Sequence, residues 1–301
     1  MITNLLSQGG LSFERLHSFC LVAQAGGVTK AAQGDPTRQS LYSRQVKELE
    51  EFFGAELMRR RGRGIALTAA GERLNAVARD CFAALGDFKS ECKDLPIEIV
   101  VGAGESVIQW LLMPRLDDLR KRIPNARLKF LNLPTSEAVK RLADGAIDFA
   151  VVRKDAIASP LQSQSLGTMG YSLFIPAGLQ SSGRKDGLKL LDGLPLATLE
   201  GEGTFRSALF QAGKKAGVKL NIQVECSSFP LAARAVAKGN VAAILPAIAS
   251  ADLPATTAVQ VPVTFLKSFD REMALATNAR LLRIRPSLQK ATEVLAQVCR
   301  F

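Results

Sequence analysis

The residues best suited to a chemical task lie between Thr29 and Leu49, T-K-A-A-Q-G-D-P-T-R-Q-S-L-Y-S-R-Q-V-K-E-L. The stretch reads as a short helix, a tight break and a longer helix. At about 100° per residue, Gln39, Ser40, Ser43, Arg44 and Lys47 of the second helix share one stripe with no large apolar group. Amides and hydroxyls on such a stripe can reach base edges, and its cations can hold phosphates. Thr37 and Arg38 extend the stripe at the front of the helix. A second stripe, Tyr42, Val46, Leu49 and Phe53, can pack on a small core. A helix of this kind after a short helix and a turn is the recognition half of a helix-turn-helix. Downstream, R-R-R-G-R-G from Arg59 to Gly64 lies between two strand-like pieces. A cationic turn there, with Arg63 at its tip, suits contact with the DNA backbone or the minor groove.

Several elements must position these residues. Asp35 is a good N-cap and Pro36 suits a first helical position, so the recognition helix is expected to start near Pro36 and the helix before it to end by Gly34. Gly54 is placed as its C-cap. Residues 11–25 read as an amphipathic helix stopped by Gly26-Gly27, and Thr29 as the cap of the next. Thr68 should cap a long helix running to about Lys93. Its apolar residues Leu74, Val77, Ala78, Cys81, Leu85, Phe88 and Cys92 recur at steps of three and four. Glu72, Arg73, Arg79, Asp80, Asp87 and Lys89 mark a charged opposite side. A single apolar stripe of this kind usually meets a partner helix, so Leu74, Val77, Cys81, Leu85 and Phe88 are expected to join two subunits.

From Leu95-Pro96 the chain alternates strand and helix, which implies two mainly parallel, doubly wound α/β lobes. Residues 11–67 form the expected winged helix-turn-helix domain, 68–95 the linker helix and 96–301 the two-lobed domain. Within it, the first lobe takes about 96–175 and 255–301, the second about 176–254. In such sheets ligands sit beyond the carboxyl ends of strands, at helix N-termini. Gly104, Ser106, Thr135 and Ser136 from the first lobe, with Thr204 and Ser227 from the second, are therefore candidates. Arg153, just past the third strand, could pair an anion.

Composition narrows the function further. Net charge is +11, with 13 basic and 11 acidic residues over 1–95 against 26 and 17 over 96–301. The excess sits mainly in the C-terminal part, where it suits an anionic ligand or a solvated surface. Glu105, Glu200 and Glu202 near the rim of the candidate ligand site leave an effector with an amine or several hydroxyls open. His17 is the single histidine, which removes catalytic triads and histidine-ligated zinc. G-A-G-E-S at 102–106 is not a dinucleotide-binding glycine motif. Neither an enzyme, a cofactor nor a metal site is expected. Cys20, Cys81, Cys92, Cys226 and Cys299 have no redox-motif or metal-ligand spacing. No apolar run approaches the ~20 residues that span a bilayer, and no signal peptide opens the chain, so a cytoplasmic protein without a membrane partner is expected.

The stretch Leu11 to Gly71 resembles the DNA-binding domain of LysR-type transcriptional regulators. Phe19 with Val22-Ala23, Gly26 to Ala32, Gln39, Ser43-Arg44-Gln45-Val46, Leu49-Glu50, Gly54, Leu57, Arg60 and Gly62 to Gly71 match in order, without gaps. The chain departs from the pattern at Asp35, Arg38, Ser40 and Leu41. The resemblance implies a regulator of promoter DNA, a homodimer or homotetramer joined through the linker helix, with RNA polymerase as a further partner. It also implies a periplasmic-binding-protein-like domain with a small-molecule effector between its lobes. The alternative is a dimeric DNA-binding regulator whose C-terminal domain is structural and ligand-free.

Overall fold

In a computed structural model, residues 9–61, 64–179, 187–201 and 203–301 are described. Helix α1 (Phe13–Ala25) is capped by Ser12, whose hydroxyl accepts from Arg15 N at 3.2 Å. Helix α2 (Val28–Ala32) starts from Gly27 without a side-chain cap, so Thr29 is its second residue rather than its cap. Helix α3 (Pro36–Phe53) begins as its sequence predicts, with an Asp35 carboxylate oxygen accepting from Thr37 N at 2.8 Å and Arg38 N at 3.2 Å. It ends at Gly54, whose φ of 61° is the left-handed conformation glycine adopts freely. Phe19, Val22, Val46, Leu49 and Leu57 close a small core between these helices.

Strands β1 (Met58–Arg61) and β2 (Gly64–Leu67) pair antiparallel. Glu50 fastens this hairpin to the recognition helix, accepting from Leu57 N at 2.8 Å and Met58 N at 3.2 Å. Helix α4 (Ala69–Glu91) follows at once. Thr68 caps it, and a Cβ on Gly71 would lie 2.0 Å from the Leu57 carbonyl oxygen. Only glycine lets the helix start so close to the hairpin.

The C-terminal part opens with β3 (Ile97–Ala103) and a helical stretch of three short turns, Glu105–Val107, Ile108–Leu112 and Met113–Arg115, leading into α5 (Leu116–Arg122). Then come β4 (Ala126–Asn132), α6 (Thr135–Ala143), β5 (Phe149–Arg153) and β6 (Leu161–Met169). Strand β7 (Tyr171–Pro176), β8 (Pro195–Leu199), α7 (Thr204–Lys215), β9 (Asn221–Cys226), α8 (Phe229–Ala237), β10 (Ala242–Pro246) and β11 (Ala258–Pro262) follow. Strand β12 (Arg271–Asn278), α9 (Ala279–Ile284) and α10 (Ser287–Val298) complete the chain.

One sheet has the order β4-β3-β5-β12-β6, the other β11-β7-β10-β8-β9. Each has three parallel strands on one side and two further strands joined by antiparallel pairing on the other, the mixed form of the expected doubly wound lobes. The sheets divide the chain elsewhere than at 175 and 255. Strands β7 and β11 both belong to the second lobe, because the chain crosses at Gly170 and crosses back after β11.

The parts are held together at places such as these. Trp110, from the first lobe's helical stretch, is buried among second-lobe residues such as Phe174 and Leu245, and its indole N–H donates to Asp252 at 2.9 Å. Two carboxylates on the charged side of α4 dock on the first lobe, while Glu72, Arg73 and Lys89 stay exposed. Asp80 and Asp87 are buried, with Arg280 Nε 2.6 Å from Asp80 and Arg285 donating to Asp87 at 2.7 and 3.0 Å. Their partners are roughly 200 residues downstream, beyond any helical periodicity.

Candidate DNA interface and effector cleft

On α3 the two stripes separate as their spacing requires. Val46 and Leu49 are buried and Tyr42 is half-buried, while Phe53 is exposed at the helix end. Thr37, Arg38, Gln39, Ser40, Ser43, Arg44 and Lys47 are all exposed. Gln39, Ser40, Ser43, Arg44 and Lys47 line one open depression with Pro36. The cations are held only loosely. Arg44 Nε is 3.7 Å from Glu48, which also pairs with Arg15, and Lys47 Nζ is 3.7 Å from Glu51. Their side chains are 70% and 76% exposed. Such pairs contribute little in water and can exchange their carboxylates for phosphates. Arg59 and Arg60 are exposed on the hairpin beside them. Arg63 lies outside the described residues.

On α4, Val77, Leu85 and Phe88 are exposed at 57%, 47% and 63%, so an apolar stripe is left without cover within the chain. Cys81 is half-buried. Leu74 is spent partly within its own subunit, against the helix-turn-helix core.

Between the lobes is a cavity of about 290 Å³. Gly104, Ser106, Thr135, Arg153 and Thr204 line it, brought together from three helix starts and the end of β5. Ser136 and Ser227 do not line it. Both are exposed, and the neighbouring Ser228 caps α8 by accepting from Leu231 N at 3.4 Å. The residues that dominate the cavity are aromatic, Tyr171, Phe205, Phe229 and Phe269, with Arg271 beside Arg153. Hydroxyls at helix starts gave no hint of them, and only the meeting of four distant segments does. Burial pushes the Tyr171 hydroxyl up from its usual range, opposed by Arg271 and Arg153 and aided by Asp270.

Cys20, Cys226 and Cys299 are buried, Cys81 is half-buried and Cys92 is exposed. Cys226 and Cys299 lie in different lobes, and burial pushes Cys299 up to about 11, against the nearby Arg115. Among the described residues, no group of three or more histidine, cysteine, aspartate or glutamate residues is placed to hold a metal ion. Nor, among them, is any helix long and apolar enough to cross a membrane.

The fold and these surfaces define a winged helix-turn-helix protein carrying a two-lobed α/β domain. Residues 13–72 match the family model of the bacterial regulatory helix-turn-helix protein, lysR family, and residues 97–300 that of the LysR substrate binding domain. The chain belongs to the LysR family. It is 33% identical over 146 residues to a probable nitrogen assimilation transcriptional activator of Synechococcus elongatus, covering 47% of each chain. The chain spans about half the length of this and other curated relatives it matches. Full-length OxyR from Pseudomonas aeruginosa shares its fold, with a TM-score of 0.65 at 20% identity over 97% of this chain and 95% of that one. So does full-length CbnR complexed with its target DNA, with a TM-score of 0.56 at 20% identity over 96% and 100%.

Proposed function

We propose that this chain is a cytoplasmic regulator of transcription that binds double-stranded promoter DNA and answers to a small molecule held between its lobes. The observation that carries the reading is the exposed stripe Gln39, Ser40, Ser43, Arg44 and Lys47 on a helix whose other face is buried. The CbnR complex, a relative in fold seated on DNA, supports the same use of this domain. Residues 11–67 serve as the DNA-binding domain, 68–95 as the linker and 96–301 as the effector domain. Val77, Leu85 and Phe88 join two subunits, which suits operators with two half-sites about one DNA turn apart. RNA polymerase is the partner such a bound dimer or tetramer would engage.

A gel shift on the DNA flanking the gene tests this. A bidentate base contact is worth roughly 1–3 kcal/mol, so Arg44→Ala and Gln39→Ala should each weaken specific binding by about fivefold or more. Neither should alter the melting curve, since both side chains are exposed. Unchanged affinity in both variants would remove α3 as the reading element.

A further inference from the structure

The interlobe cavity is paved with rings. Tyr171 and Phe205 have centroids 4.8 Å apart at 30°. Phe229 meets Phe205 at 5.4 Å and 83°, and Phe269 meets it at 6.0 Å and 88°. These are the tilted and edge-to-face arrangements that aromatic groups favour. The four rings come from β7, α7, α8 and the segment before β12, all outside the first lobe's own sheet.

Two guanidinium groups stand at the same cavity. Arg153 ends β5 and Arg271 opens β12, and the antiparallel register pairing Arg153 with Met273 puts both at one end of neighbouring strands. Arg271 has its guanidinium carbon 5.1 Å from the centre of the Phe269 ring. Its Nη1 donates to the carbonyls of Ser268 and Asp270, and among the described residues Nη2 has no hydrogen-bond partner. Arg153 reaches Asp155 only at 3.6 Å and is 43% exposed. Among the described residues, the cavity lining holds a single carboxylate against these two cations, that of the exposed Glu105.

We propose that the effector of this chain is an aromatic carboxylate about one ring in size, its ring among Tyr171, Phe205, Phe229 and Phe269 and its carboxylate on Arg153 and Arg271. The proposal rests on the reading of the interlobe cavity as the effector site. Size supports it, because an apolar cavity of roughly 150 Å³ holds benzene and about 290 Å³ leaves room for a substituent but not for a nucleotide. Chemistry supports it as well. Planar guanidinium groups match a carboxylate. Ser106, Thr135 and Thr204 remain at the rim as donors to a carboxylate oxygen or a ring substituent.

Isothermal titration of the full chain tests the proposal with benzoate, salicylate, cinnamate, cyclohexanecarboxylate, succinate and benzylamine. At least one aromatic acid should bind, with cyclohexanecarboxylate about tenfold weaker, since ring-on-ring contacts add to area burial. Arg271→Met and Arg153→Met should each weaken that binding by about tenfold or more. Phe205→Leu should bring the cyclic aliphatic acid level with its aromatic counterpart. Equal binding of benzoate and cyclohexanecarboxylate by the parent, or binding that survives both arginine changes, overturns the proposal. Succinate or benzylamine binding alone, abolished by Ser106→Trp, overturns the aromatic acid but keeps the cavity as the site. No binding by any probe, or aromatic-acid binding that Ser106→Trp leaves intact, overturns both, the rings then serving only to fill the space between the lobes.

Discussion

Arg285 is the place where one substitution should loosen the linker helix from the lobe beneath it. Its side chain is 7% exposed and lies between two carboxylates. It donates from Nε and Nη2 to Asp87 on α4 at 2.7 and 3.0 Å, and from Nη2 to the Glu98 carbonyl at 3.0 Å. Its Nη1 donates to Asp148, at the start of β5, whose other oxygen accepts from Val100 N at 2.7 Å. Burial already pushes the Asp148 carboxyl up, with Arg285 pulling it down.

Arg285→Met keeps the volume and removes the cation that both carboxylates face. Breaking a buried ion pair costs about 3–5 kcal/mol, because a charge is left without compensation. Asp87→Asn is milder. Arg285 keeps Asp148 and the Glu98 carbonyl, and the amide can still accept from it, so about 1–3 kcal/mol is expected. At roughly 2–4 °C per kcal/mol for a domain of this size, Arg285→Met should lower the melting temperature by about 10 °C and Asp87→Asn by about 5 °C. The deficit of Arg285→Met should shrink as the pH falls towards 5. Asp148, raised by burial and now without its cation, then takes up a proton. Thermal melts of the full chain at pH 5 and pH 8 read all three. If Asp87→Asn costs more than Arg285→Met, or the Arg285→Met deficit is the same at both pH values, the reasoning is wrong.

The other expectations are simpler. Burial outweighs the attraction of Arg280 and pushes Asp80 up to about 6 from an ordinary 3.8. The folded state therefore holds that proton more tightly than the unfolded one. Stability drains away as the pH rises from about 4 to about 6, and the cost is complete above that. Asp80→Asn should match the parent at pH 4 and be the more stable by up to about 3 kcal/mol at pH 8, two pH units at 1.36 kcal/mol each. Denaturant melts that stay parallel across this range would refute it. Val77→Glu puts a charge into the uncovered stripe of α4. Light scattering should show the assembly reduced towards monomers, and an unchanged mass would mean that this stripe does not join subunits.

What could be read from the chain alone was what is local. The start of α3 at Pro36 and its end at Gly54 are settled by caps within four residues, and the division of its faces by a period of 3.6. Strand β6 escaped because Gln162 to Ser165 are exposed on an edge and show no alternation. Strands β7 and β11 escaped because the chain changes sheet between β6 and β7 with only Gly170 to mark it. Of the candidates near helix starts, Gly104, Ser106, Thr135 and Thr204 line the interlobe cavity, whereas Ser136 and Ser227 are exposed outside it. Its rings were invisible in sequence. Tyr171, Phe205, Phe229 and Phe269 share no period and meet only when the second lobe folds.

Trp110 is the single tryptophan of the chain, and it is buried where one lobe plugs into the other. The molecule therefore carries an optical probe of its own hinge. Emission excited at the indole comes from one residue, with one hydrogen bond to Asp252 and second-lobe neighbours on its faces. Any compound that changes how the lobes meet must disturb that environment. A compound that binds elsewhere should leave the spectrum alone. No label or added chromophore would be needed to tell the two apart in the unmodified protein.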